Sequence, residues 1–442
     1  MAKKVKTTKR VSNPASNNKK VHKYLIAFPL IALAIKIVVM FNIHAGSWAG
    51  ADGENYLKGV DGLLNGGFFS KEGLLSYWPA GYPIIIWPLA AITITKFAYI
   101  LSLIQSLFFA YSTYFLTKKM SSSSLKWLAV TASFLISFNP TLSLSSLVIG
   151  YESIVASCLI MIVGLVLSSD TDKKRKINLF LSGLLFSIAN FTQPRFIAIA
   201  LAIYILWSLS IASKAQRASL IAIGMALSLL LPTALIIRNQ QSVGAATIST
   251  NLGVTMRLGA GDSTSGGYNH SGPVVPCNPK PGEQGVSDNQ LVQCVIKWYL
   301  TNPTKTLKLA VNKTQYFWSP WSGPKAEGTM ARNPWLKVSP VQNIKNSKEG
   351  AKLAFGPIGK FISYLWILGQ ITFLFLGYWT IRRRGKFEAS FANLLLVPLV
   401  LSWLISIGTI GDHRFRIPTM GLSLVLQAAG FLLIREKTTK AL

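Results

Sequence analysis

The chain has 442 residues, of which 50% are hydrophobic and 14% charged, and it carries a formal charge of +30. So low a charged share excludes an ordinary soluble domain, which needs about a quarter of its residues charged. The basic excess would fit a nucleic-acid binder if it lay on a folded surface, but it lies between apolar runs, and that class is excluded too.

Residues 1–23 hold eight Lys and Arg and no acidic residue. Their Ser, Asn and Thr cannot build a core, so this segment reads as a disordered basic cytoplasmic tail. The apolar run at 24–43 is too long for the apolar region of a cleaved signal and suits a retained first span. Nine further runs of spanning or near-spanning length follow at roughly 97–117, 127–142, 144–167, 178–192, 195–213, 218–237, 357–381, 391–410 and 417–434. The run at 84–94 is too short to cross and reads as a re-entrant or interfacial helix. Asn139-Pro140 reads as a kink or helix end.

Basic clusters occupy every second connection: the tail, Lys118/Lys119/Lys126, Lys173 to Lys176, Lys214/Arg217, Arg382 to Lys386, and Arg435/Lys437. Cytoplasmic loops hold such excess, so ten spans with both termini in the cytoplasm fit, with one exception among the short loops. The expected fold class is an all-α polytopic membrane protein of about ten transmembrane helices in the plasma (inner) membrane. Residues 24–237 would hold seven spans and the outer loop 44–96, residues 238–356 a small extracytoplasmic region, and 357–442 the last three spans. Trp298, Trp318, Trp321 and Trp335 in that region either sit at headgroup level or pack within it. Cys277 and Cys294 share the same polar stretch, where a disulfide and two free thiols are both open; Cys158 lies in an apolar run. No internal repeat is visible, so the inverted-repeat signature of many transporters is missing.

Three places carry candidate chemistry. The first outer loop opens on Asp52-Gly53-Glu54-Asn55-Tyr56, where a carboxylate beside the membrane can serve as a general base toward a hydroxyl. The loop continues through Gly66-Gly67-Phe68 to Pro79-Ala80-Gly81-Tyr82-Pro83, a pattern of turns and interfacial aromatics. The exception to the charge rule is Gly411-Asp412-His413-Arg414-Phe415-Arg416, which puts His413, Arg414 and Arg416 on the outer side. Arg195 and Arg238 are likewise outward at membrane level, and Glu152 begins a span where an ionisable group needs a cavity. A phosphate in the outer leaflet would satisfy these guanidinium groups; pairing with Asp52, Glu54 or Glu152 would satisfy them equally.

In order and placement these motifs resemble the GT-C superfamily of membrane glycosyltransferases, in the group similar to dolichyl-phosphate-mannose protein mannosyltransferases and lipid A aminoarabinose transferases. The pieces that carry the likeness are Asp52 through Tyr56, Gly66-Gly67-Phe68, Pro79 through Pro83, Thr192-Gln193-Pro194-Arg195, Ile248 through Gly253 with Gly266-Gly267-Tyr268, and His413 through Pro418. The resemblance implies a polyprenyl-phosphate sugar donor, inversion at the anomeric carbon, an extracytoplasmic active site, and Asp52 as catalytic base. It implies lipid-phosphate contact for Arg414 and Arg416. It leaves Glu54, Tyr56, Tyr82, Glu152, Arg195, Arg238 and His413 as candidate substrate contacts. Some family members bind a divalent metal and others need none, so no cofactor is fixed. The partners expected are the donor, the bilayer and an acceptor glycan, lipid or protein, with no nucleic acid. A transporter or flippase, a polymerase or ligase of lipid-linked glycans, and a plain scaffold are the competing classes. A transporter should place ionisable groups near mid-bilayer and break its helices there.

Overall fold

The computed structural model describes residues 14–42, 52–93, 96–267, 275, 287–320 and 347–441. Tyr268, Cys277, Trp321 and Trp335 lie outside the described residues. Every described element is helical, and apolar helices long enough to cross a bilayer make this an all-α, multi-pass membrane protein. Five helices meet length and hydropathy requirements for a span, and seven do so if each of two bent pairs counts as one.

Helix α1 (Pro14–Asn42) begins ten residues before the expected first span. Residues 15–23 contain no helix breaker, so a helix nucleated in the apolar run propagates outward as far as Pro14, a residue tolerated in a first turn. After it come α2 (Gly53–Gly66), α3 (Leu74–Tyr77) and α4 (Gly81–Ile92). The twelve residues of α4 match the expected short, non-crossing helix.

Next are α5 (Phe97–Ser121), α6 (Lys126–Phe138) and α7 (Pro140–Leu144). Asn139 separates the last two: its side chain accepts the Leu142 N–H at 2.9 Å, Pro140 removes an N–H, and the pair bends by 55°. The kink is thus made by a cap and a proline together.

The central helix is α8 (Glu152–Leu167), buried on nearly every side, as an apolar helix without a polar face must be. It packs on α5, on α9 (Asp172–Thr192), and on the last helix, α19 (Ile417–Ala441). Helix α10 (Phe196–Ser208) leads to α11 (Lys214–Ser228) and α12 (Leu230–Val243), a second bent pair at 42°. The chain stays helical to Val243, past the expected end at 237, and stops where Gly244 takes a left-handed conformation with φ 72°.

The polar region contributes α13 (Leu252–Leu258), α14 (Asp288–Thr301), α15 (Pro303–Phe317) and α16 (Lys348–Phe355). Helix α14 starts on a capping box between Ser287 and Gln290. Cys294 is disulfide-bonded. Trp298 packs in a small core with Val295 and Met256, whereas Trp318 is fully buried against Phe317 and Trp403 of a membrane helix. Helices α17 (Pro357–Arg382), α18 (Lys386–Gly408) and α19 close the bundle. Gly377 and Gly430 let α17 and α19 touch backbone to backbone; a Cβ on either would strike a carbonyl of the other helix.

Candidate functional site

Asp52 occupies the position before α2, and its carbonyl starts the helix by accepting the Tyr56 N–H at 3.1 Å. One helical turn on, Tyr56 therefore lies over the same spot. Glu152 stands in the first turn of α8, and Arg414 in a 3₁₀ turn, His413–Phe415, that joins α18 to α19. Asp412 shapes that turn by accepting the Arg414 N–H at 3.0 Å.

These residues, up to 362 positions apart, converge. Arg414 is ion-paired with Asp52 through a terminal nitrogen, and its Nε is 3.6 Å from Glu152 Oε1. Asp52 and Glu152 are each 1% exposed and Arg414 4%. Burial opposes the guanidinium charge, but Asp52, Tyr151, Glu152 and Asp412 outweigh it and hold Arg414 well above its ordinary range. Burial first, then the Asp52 and Glu152 charges, push the Tyr56 hydroxyl up. Tyr56 meets Tyr82 edge to face at 5.0 Å.

Arg414 also forms part of the wall of a cavity of about 490 Å³. The other walls are Tyr77 to Pro79 after α3, Gln193 to Arg195 between α9 and α10, Thr247 to Thr255 around α13, Asp288 and Asn289 on α14, and the last residues of α18 with Asp412 and Phe415. Four motif stretches that are distant in sequence thus share one space. The Arg195 guanidinium carbon lies over Phe415, 4.0 Å from the ring centre, and the group donates to Tyr151 Oη at 2.9 Å. Its buried Nε has no hydrogen-bond partner among the described residues. Burial, with Arg414 adding to it, lowers the Arg195 pKa against the pull of Tyr151.

Other candidates go elsewhere. Glu54 is on the exposed side of α2. Tyr82 uses its hydroxyl to accept the Gly150 N–H at 2.8 Å and to reach Gln105 at 3.3 Å, which ties α4 to the entry of α8. Arg238 spends its donors on the carbonyls of Phe68 (3.1 Å), Leu75 (3.1 Å) and Ser70, and on Asn239; it clamps the segment after α2. Arg416 points away from the cavity, donating to Gln370 at 2.8 Å and lying over Trp318. Burial pulls its pKa to about 9. His413 faces Ser319, and burial, then Arg416, pull it down to about 3, so its ring is neutral.

Sequence reasoning passed over Tyr151, Asp412, Asp288 and Lys313. Tyr151 and Asp412 adjoin motif residues and had that signal; the other two had none. Lys313 on α15 is 1% exposed and donates to Tyr299 Oη (2.8 Å), Ile407 O (2.9 Å) and Thr409 O (2.7 Å). It thereby fastens the end of α18, just before the Arg414 turn, to the polar region. Burial lowers its pKa to about 7.

Among the described residues no three His, Cys, Asp or Glu side chains gather so as to hold a metal ion. Asp52 and Glu152 share one guanidinium.

No protein family model and no curated protein sequence matches the chain. Among solved structures it is similar to the oligosaccharyltransferase AglB of Archaeoglobus fulgidus. The complex with an inhibitory peptide and a dolichol-phosphate matches at 14% identity and TM-score 0.45, over 92% of this chain and 50% of that one. The form tethered to an acceptor peptide matches at 14% and 0.47 over the same shares, and the apo form at 12% and 0.45 over 92% and 51%. This chain spans about half the length of those proteins.

Proposed function

We propose that the chain is a membrane glycosyltransferase of the GT-C type, which moves a sugar from a polyprenyl-phosphate donor to an acceptor hydroxyl on the extracytoplasmic face. The observation that carries this reading is Arg414, which lines the cavity on one side and holds Asp52 on the other. A donor phosphate entering the cavity competes with Asp52 for the guanidinium, and the Arg195 Nε gives it a second donor. One Asp52 oxygen is then released to act as base.

In the transfer, the acceptor O–H gives its proton to Asp52 while the oxygen attacks the anomeric carbon. The bond from that carbon to the phosphate oxygen breaks, and the phosphate leaves with the electron pair beside Arg414 and Arg195. Attack opposite the leaving group inverts the anomeric carbon. Removing such a base costs roughly 10²- to 10⁴-fold in rate. Membranes lacking the protein, complemented with Asp52→Asn at equal expression, should therefore fail to consume the polyprenyl-phosphate sugar or to form its product by mass spectrometry. Product at the parental level with Asp52→Asn would sink the assignment.

A second reading, transport of a lipid-linked sugar, is favoured by two observations. Lys36 is buried within the first span with its ammonium 4.2 Å from the Phe109 ring, and two spans are broken by bends. Glycosyl transfer remains the better reading because Asp52, Glu152, Arg195 and Arg414 gather beside one cavity at helix ends rather than within the spans. Movement of an intact labelled lipid-sugar across vesicles, with no sugar lost from it, would favour transport.

A further inference from the structure

A second cavity, of about 540 Å³, lies at the far end of the same helices. Helices α8, α10 and α18 each have one end at the Arg414 site and the other here: Val166 and Leu167 end α8, Trp207 and Leu209 end α10, and Lys386 and Phe387 begin α18. The 23 residues of α18 span roughly 34 Å at about 1.5 Å per residue, close to the ~30 Å hydrocarbon thickness of a bilayer. The two cavities therefore stand at opposite ends of the bundle.

We propose that this second cavity binds the phosphate headgroup of an anionic phospholipid, with an acyl chain lying along the α10/α18 crevice. Two cations line it, Arg175 and Lys386. Among the described residues the Lys386 ammonium meets no carboxylate, and Arg175 is held by one terminal nitrogen to Asp172, whose side chain is 75% exposed. Asp170, the acid in the lining, is already paired with Lys174 at 3.0 Å. Of the serines in the lining, Ser169 and Ser210 donate to the Leu165 and Trp207 carbonyls at 2.8 and 2.7 Å, which leaves Ser390, one turn after Lys386, as the further hydroxyl. Arg382, Arg383 and Arg384, in the turn before α18, add positive charge on this side of the bundle, which draws anionic lipid.

The lower walls are apolar: Leu206, Trp207, Phe391 and Leu394. At the mouth Leu209 and Phe387 are 60% and 46% exposed. Cations at the mouth and apolar walls below match a ligand that is anionic at one end and alkyl at the other. The glycosyl-transfer reading is not needed for this conclusion.

The test uses the full chain purified in detergent and native mass spectrometry after incubation with phosphatidylglycerol or phosphatidylcholine of equal chain length. The parent should retain phosphatidylglycerol preferentially. Arg175→Gln with Lys386→Gln should lose about fivefold per cation, from the roughly 1 kcal/mol each that a basic residue contributes at an anionic headgroup. The charge-matched pair Lys173→Gln with Lys176→Gln, outside the cavity lining, should lose less than the cavity pair. Equal retention of the two lipids, or equal loss in the two variant pairs, would overturn the site. Competition by inorganic phosphate at the lipid's own concentration would overturn the lipid assignment, because the alkyl chain would then contribute nothing. Melting temperatures of all variants establish that each is folded.

Discussion

Replacing Arg414 by Met tests the centre of the site most directly. The guanidinium is 4% exposed and neutralises two carboxylates that are each 1% exposed. At 3.6 Å the Glu152 pair alone is worth roughly 4–5 kcal/mol of Coulomb energy at an effective dielectric of about 20, most of it offset by desolvation. Removing the cation keeps the desolvation and loses the attraction, and leaves two like charges facing each other. The loss should be about 3–5 kcal/mol, the range for breaking a buried pair from one side. Asp52→Asn is milder: Arg414 keeps Glu152 and Asp412, and the amide still offers an oxygen, so the cost should be about 1–2 kcal/mol. The double variant should be less destabilised than the two losses added, by up to ~3 kcal/mol of coupling. Thermal unfolding of detergent-purified variants followed by tryptophan fluorescence reads the order. Arg414→Met as stable as Asp52→Asn, or strict additivity, would refute the shared buried network.

Three further outcomes follow from single contacts. Gly81→Ala would drive a Cβ into the Phe191 carbonyl where α4 meets α9, an overpacking that should cost about 1–3 kcal/mol and lower the melting temperature. His413, held at about 3 when folded against an ordinary 6.5, binds its proton more readily in the unfolded chain. Stability is thus lost as pH falls from about 6.5 toward 3, by roughly 1.4 kcal/mol per pH unit, and His413→Gln should shrink the drop in melting temperature between pH 7.5 and 5.5. Lys313 is also depressed, from 10.5 to about 7, so between those values the unfolded chain again holds the extra proton. The parent should gain stability relative to Lys313→Met as pH rises from 7 to 9; no change in that difference would show that the folded amine keeps its proton throughout.

The sequence alone determined that the ten apolar runs are helical, that α4 is short, and that the chain kinks at Asn139-Pro140. Each follows from local chemistry: bilayer-length hydropathy, insufficient length, and a missing N–H beside a capping side chain. It also marked Glu152 as costly at the start of a span, Asp52 as a candidate base, and Arg195, Arg238, Arg414 and Arg416 as cations in need of a partner. Where each cation turns was decided by tertiary structure. Arg414 and Arg416, two residues apart, sit on opposite sides of one 3₁₀ turn, so one meets Asp52 and the other Gln370. Arg238 looks like a phosphate ligand in the sequence but meets backbone carbonyls, and Lys313 has no local signal because its acceptors are on other helices. A charge reports in sequence only that it needs a partner, and packing chooses which partner that is.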